Sequence, residues 1–370
     1  MKFKCKKEFL LGCLLNLQRS VSTRSENLST EGLHINVCND VIYIESYNSE
    51  YSVKTEIPAF DTENGEVVVP AKLFFDIVKC LSSSEVIEVK TKDDNSYNEI
   101  VIDGGESNFL LPGMDPQDFP KFPTLDAETP ILIDSEIFST LIKQTIFAAS
   151  EDANKAVYTG VLIETKDSTI TFVAIDGFRL ALRRENINIE KDFKIIVPAK
   201  TLSEILKLIT NEKIDVEVYI CERYVFFRLK NYLIISKLIS GNFIDYESVI
   251  PKESSLKAKI NIRRFIESIE RVSLVIDNRL KSPIKGVFGD DAALLLCSTA
   301  NGQAKDKFAI ESDGVFLEIS FNNKYMLDAL KNIDSDEVIL KFSSSLKPIE
   351  IVPIQGNSFL FLILPVRTKE

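Results

Sequence analysis

The sequence predicts an α+β chain of three similar modules, each with two helices packed on one face of antiparallel sheet. One block of sequence recurs three times at a nearly constant spacing, and strand-like runs outnumber helical ones within each copy. Residues 67–81 read VVVPAKLFFDIVKCL, 195–209 read IIVPAKTLSEILKLI and 319–333 read ISFNNKYMLDALKNI. Aligned on Lys72, Lys200 and Lys324, the copies lie 128 and 124 positions apart. Gly32, Gly160 and Gly286, each read as opening a strand-like run, are offset by 128 and 126. Phe9, Phe138 and Phe265, each early in a helical pattern, are offset by 129 and 127. A period shared by three landmarks is the mark of internal repetition. The expected modules are 1–127, 128–252 and 253–370, with joints at the Pro-containing stretches 112–123 and 241–251.

Within a module, a short strand leads into a first helix. Phe138, Leu141, Ile142, Thr145, Ile146 and Ala149 form an amphipathic stripe, repeated by Phe265, Ile266, Ile269, Val272, Ser273 and Ile276. Strand runs follow, such as 169–173 and 181–183, with Asp176-Gly177 between them as a hairpin turn. A further strand ends at Pro70 or Pro198, where a second helix begins and a fixed φ is tolerated. The third copy has Asn322 there, a good N-cap. That second helix is short, its stripe being Phe74, Ile77, Val78 and Leu81 in the first copy. Strands such as 224–229 and 233–238 close the module.

Composition removes several function classes. The chain of 370 residues carries 44 Lys+Arg against 55 Asp+Glu, a net charge of −11, so as a whole it repels nucleic acid and anionic lipid. A DNA partner must therefore meet a local basic surface. His34 is the single histidine, which removes most His-based chemistry, multi-His metal sites and His pairs for proton shuttling above all. Six scattered cysteines without a C-x-x-C pair point to free thiols in a reducing cytoplasm, and no metal or other cofactor is expected. The chain opens MKFKCKK without a signal-peptide pattern, and no run approaches the ~18 apolar residues that span a bilayer, so no membrane partner is expected. Phosphate-cradling glycine motifs and a G-x-S-x-G elbow are absent. The acidic pairs Asp93-Asp94 and Asp290-Asp291 read as hairpin turns. Paired carboxylates of the glycosidase kind stay open, because their separation is visible only in the fold.

The second helix repeats Lys-x3-acid-x2-Lys: Lys72, Asp76, Lys79; Lys200, Glu204, Lys207; Lys324, Asp328, Lys331. These positions share the helix face opposite the apolar stripe. Taken singly, each is a solvated surface with one ion pair. Threefold recurrence turns them into six lysines able to converge on one polyanion. Arg263 and Arg264 of the third module, and Arg24 in a Ser/Thr-rich loop, add to the basic set. Lysines without interleaved aromatics contact phosphate and do not read bases, so the expected binding is salt-sensitive and indifferent to sequence.

Further residues carry a resemblance. The repeated V-P-A-K, the run Asp176-Gly177-Phe178-Arg179-Leu180-Ala181, Ser236-Lys237-Leu238 with Gly241-x-Phe243-x-Asp245-Tyr246, and Leu364-Pro365-Val366-Arg367 together look like the bacterial sliding clamps, the beta subunits of DNA polymerase III. The resemblance runs the whole length. It implies a non-catalytic clamp fold that forms a ring as a head-to-tail homodimer around duplex DNA. Helices would line the channel, with Arg24, Lys72, Lys79, Lys200, Lys207, Arg263, Arg264, Lys324 and Lys331 toward DNA. It also implies a cleft for short peptides of the polymerase catalytic subunit, the clamp loader and other clamp-motif proteins, including repair factors. Positions matching that cleft are Lys155, Val157, Tyr158, Gly177, Phe178, Arg179, Leu180, Val249, Asn322, Tyr325, Leu364, Pro365, Val366 and Arg367. This chain departs from the family pattern at Phe178, where His is usual, at Lys155, near a usual Arg, and at Ile244, where Pro is usual. It also continues past Arg367. Two other readings stay open on residues alone: a hydrolase using acidic residues, and a protein-binding scaffold without DNA contact.

Overall fold

The computed structural model describes residues 1–370 except 24, 82–84, 93–96, 98, 122, 126–128, 188, 190–191, 210–211, 278–281, 314–315 and 368–370. Arg24 and Asp93-Asp94 therefore lie outside the described residues. The fold is α+β, with helices α1 (Lys7–Leu17), α2 (Ala71–Cys80), α3 (Ser135–Ile146), α4 (Ala199–Leu208), α5 (Ile262–Ser273) and α6 (Asn323–Lys331). The chain divides into two compact units: Met1–Phe138 with Lys200–Leu238, and Ser139–Ala199 with Ile239–Glu370.

The first unit contains an eight-stranded antiparallel sheet and a five-stranded one. In the larger, strands Asp215–Ile220, Tyr224–Leu229 and Tyr232–Lys237 from the middle of the chain continue directly into Tyr51–Pro58, Val41–Asn48 and Gly32–Cys38 from its start. The second unit has a nine-stranded sheet in which Arg179–Asn186 pairs with Phe359–Ile363, and a four-stranded sheet. Each large sheet thus joins strands from two sequence repeats.

The helices form where the apolar spacing and caps predict. Pro70 holds φ at −58° and ends its strand as α2 starts, and Phe74, Ile77 and Val78 are buried. Asn322 accepts a hydrogen bond from Tyr325 N at 3.2 Å to cap α6, and Asn261 accepts one from Arg264 N at 3.1 Å to cap α5. On α5 the buried Phe265 ring lies 5.3 Å from Phe308 and 6.3 Å from Phe321, so an aromatic cluster anchors the helix to its sheet. Ala149 and Ile276 fall beyond the ends of α3 and α5, so the real stripes are shorter than the sequence pattern.

One landmark is off by a residue. Phe9 is 45% exposed, and Leu10 is the buried fourth residue of α1, as Phe138 and Phe265 are of α3 and α5. Leu10 and Phe138 are 128 positions apart, matching the glycine and lysine offsets. Adjacent apolar residues at 9 and 10 hid this, because only packing tells which faces the core.

The glycine landmarks are steric. Gly160 starts the strand Gly160–Lys166 opposite Pro198, and a Cβ on it would lie 2.8 Å from the Val197 carbonyl oxygen and 2.7 Å from Ile196 Cγ2. Gly32 meets the same crowding from Val69 O at 2.9 Å. Gly286 is instead the third residue of its strand, where the Phe288 ring occupies the space. Gly160→Ala is expected to cost about 1–3 kcal/mol through overpacking, read as a lower urea midpoint at unchanged slope.

The cysteines separate by burial. Cys5 and Cys13 are buried and Cys80 is exposed at the end of α2. Desolvation pushes the Cys5 and Cys13 thiols from an ordinary 9.0 up to about 12. Iodoacetamide should therefore label Cys80 in the native protein while sparing Cys5 and Cys13, as mass spectrometry of the digest will show. Unfolded thiols ionise first, so these two groups make stability fall as pH rises from about 9 toward about 12.

Candidate functional site

The candidate cleft residues all belong to the second unit and centre on the turn after the strand Thr169–Ile175. Ile175 pairs with Leu180, so the chain must reverse over Asp176, Gly177, Phe178 and Arg179. Asp176 makes that turn by accepting at Oδ1 from Phe178 N (2.8 Å) and Arg179 N (3.1 Å). Gly177 has φ +95°, a conformation that disfavours other residues. The Lys155 ammonium stands 3.7 Å from where a Cβ on Gly177 would be.

Arg179 is only 10% exposed at its side chain and is held from every side. Its Nε donates to Asp176 Oδ2 at 2.9 Å and its Nη1 to Asp328 Oδ2 at 2.6 Å. The guanidinium also covers the Tyr325 ring at 4.6 Å and the Phe147 ring at 5.7 Å. Arg179 is therefore an internal strut between the turn and α6. Asn322 reaches the site through its cap on Tyr325 N. Phe178 stacks on Tyr325 with centroids 6.2 Å apart and an interplanar angle of 21°. Its carbonyl accepts from Leu364 N at 2.9 Å, and Val366 N donates to Ser320 O at 2.8 Å, which lays the segment 364–367 beside the turn. Leu364, Val366 and Arg367 are exposed and Pro365 is half-buried.

Leu180 is 2% exposed and belongs to a core cluster with Leu162, Val173 and Leu362. Val157 and Tyr158 pack on that cluster from outside, as does Ile250, the neighbour of the exposed Val249. The structure thus brings Lys155, Gly177, Phe178, Arg179, Asn322, Tyr325 and Leu364 together around the turn and sets Val157, Tyr158 and Leu180 in or on the core. Three residues were missed: Asp176 as a clamp, Phe147 as an aromatic backing and Asp328 as an ion partner. Asp176 was legible as the Asx residue of an Asp-Gly turn. Nothing in the sequence pairs Arg179 with Asp328, 149 positions away.

The lysine faces are exposed on all three short helices, but their acids differ. Glu204 pairs with Lys207 on its own helix, and Asp328 is taken by Arg179. Lys200 pairs with Glu50 at 2.7 Å and Lys331 with Glu270 at 2.7 Å. Among the described residues Lys72, Lys79 and Lys324 make no ion pair. Lys79 lies 5.9 Å over the Phe75 ring. Arg263 and Arg264 are exposed on α5, the former bonded to Glu267 at 3.0 Å. Lys7 at the start of α1 has a structural use: its ammonium donates to Leu81 O at 2.7 Å near the end of α2. Asp290-Asp291 forms the predicted tight turn between paired Gly289 and Ala292, and His34 is bonded to Glu66 at 3.1 Å and stacked on Phe119.

Three family models match in order along the chain: the N-terminal domain of the DNA polymerase III beta subunit at residues 1–123, its central domain at 132–245 and its C-terminal domain at 247–367. The chain belongs to the DNA polymerase III beta subunit family. The beta sliding clamp of Staphylococcus epidermidis is 32% identical over 379 residues, and that of Bacillus subtilis 31% over 382, each covering both chains completely. The crystal structure of the Bacillus subtilis sliding clamp superposes over 100% of both chains with a TM-score of 0.94 at 29% identity. The clamp fold expected from the V-P-A-K repeats and the D-G-x-R-L-A turn is therefore the observed one, and the chain is a replication processivity factor by family. No helix among the described residues is long and apolar enough to cross a membrane.

Proposed function

We propose that this clamp works as a head-to-tail homodimeric ring of six modules, divided near 127/128 and 252/253, that encircles duplex DNA without reading its sequence. It tethers the catalytic subunit of the replicative polymerase, performs no catalysis, needs no cofactor and acts in the cytoplasm. Clamp loader, polymerase and other clamp-motif proteins dock as short peptides on the cleft around Phe178. The observation that carries this reading is the exposed lysine face repeated on α2, α4 and α6 in a chain of net charge −11. Each such face favours phosphate on a chain whose net charge otherwise repels it. Exchangeable phosphate contacts let a ring slide, while closure prevents its escape.

Light scattering and retention on DNA test the reading. A dimer should form and, once loaded on nicked circular DNA, stay bound until the circle is linearised. Monomer at every concentration, with equal loss from circular and linear DNA, would overturn it.

A further inference from the structure

We propose that Glu50 limits the grip of the clamp on DNA by competing with phosphate for the Lys200 ammonium. The inference rests on the assignment of the lysine faces to DNA and names a residue that sets how strong those contacts are. Glu50 stands in the turn between the strands Val41–Asn48 and Tyr51–Pro58, and Lys200 is the second residue of α4. Carboxylate and ammonium meet at 2.7 Å, although 150 positions separate the two residues. The turn holds the carboxylate in place before any DNA arrives. Asn48 Oδ1 accepts from Glu50 N at 3.0 Å and from Tyr51 N at 3.2 Å, and the Glu50 carbonyl accepts from Lys237 N at 3.1 Å.

The next repeat shows that this turn does not itself require an acid. Residues 48, 50 and 51 lie 128 positions before 176, 178 and 179. There Asp176 Oδ1 takes the amides of Phe178 and Arg179, and the Phe178 carbonyl accepts from Leu364 N, so the backbone bonds are the same. The side chain in the place of Glu50 is Phe178, whose ring stacks on Tyr325 of α6. Lys324, the counterpart of Lys200, makes no ion pair among the described residues. What Glu50 adds to the common frame is therefore one negative charge at one lysine. The Lys200 side chain stays 75% exposed, so phosphate can reach it, but only against the repulsion of a carboxylate already there. A lysine contributes to DNA affinity by releasing counterions from phosphate, about 0.9 in salt slope per contact, and a neutralised lysine contributes less. A ring held on DNA by closure has no need of tight contacts, and each one it lacks leaves less to break at every step along the duplex.

Fluorescence polarisation of a labelled duplex titrated with the whole chain over a salt series measures the effect. Glu50→Gln keeps the shape of the side chain and removes its charge. It should tighten binding about two- to fivefold at low salt and steepen the salt slope by up to about 0.9. A gain in affinity is not what a loosened fold supplies, so this readout separates charge from structure. In a Lys200→Ala background the same substitution should lose most of its effect. An equal gain in both backgrounds overturns the competition for Lys200. Equal affinity and slope for native and Glu50→Gln chains, while Lys72→Glu with Lys79→Glu weakens binding, overturn the proposal and leave the DNA contact standing. No response to either change overturns the assignment of the lysine faces to DNA, and the role of Glu50 with it.

Discussion

Reversal of Lys72, Lys79, Lys200 and Lys207 to Glu is expected to abolish clamp-dependent processivity, reducing primer extension to that of the polymerase alone. All four are exposed on α2 and α4, so the changes should leave folding intact. Each lysine that meets a phosphate contributes about 0.9 to the slope of log affinity against log salt, and reversal replaces that attraction with repulsion. The four should not weigh equally. Lys72 and Lys79 have no ion pair to surrender among the described residues, whereas Lys200 must leave Glu50 and Lys207 must leave Glu204. Exposed pairs of that kind are worth about 0–1 kcal/mol, enough to rank the positions without silencing any. Reversing α2 alone should therefore hurt more than reversing α4 alone. Unchanged extension length and salt dependence would favour a protein scaffold that does not touch DNA.

Arg179→Ala should be the most damaging change among the candidate cleft residues. The side chain anchors two carboxylates and two rings, and its removal leaves Asp176 and Asp328 facing each other's charge without a cation between them. Loss of one partner from a buried pair costs roughly 3–5 kcal/mol. Asp328 is partly exposed and can rehydrate, so about 2–3 kcal/mol is the expected loss in urea unfolding after allowing for that screening. Arg179→Lys keeps the charge but not the planar fork, and should recover less than half. Asp328→Asn in the Arg179→Ala background should restore part of the stability by removing the stranded charge, a coupling that a double-mutant cycle will report. Additive effects would mean that the strut does not act as a unit.

The sequence made the short helices legible because a proline or asparagine cap, an apolar stripe and a flanking lysine pair recur together on 71–80, 199–208 and 323–331. It misplaced the first landmark because Phe9 and Leu10 are both apolar and only the core chooses between them. It also treated Asp76, Glu204 and Asp328 as equivalent, since their local spacing is identical. Their environments are not, because the partner of Asp328, Arg179, arrives from a strand far along the chain, beyond the reach of helix periodicity. The same limit applies to the cleft. Its turn could be read from Asp176-Gly177, but the contacts of Phe178 with Tyr325 and of Arg179 with Tyr325 and Phe147 join residues that no local pattern links.

The way the large sheets are assembled constrains how such a chain can evolve. Main-chain ladders between Tyr51–Pro58 and Tyr232–Lys237, and between Arg179–Asn186 and Phe359–Ile363, stitch the middle repeat to both neighbours. These repeats are not beads on a string. A middle repeat cut free would carry two raw strand edges, each a row of amides and carbonyls ready to recruit foreign strands. Gene duplication could triple the unit, but once the seams had formed the copies were bound to drift as one body, free to trade surface charges and no longer free to be shuffled, lost or replaced one at a time.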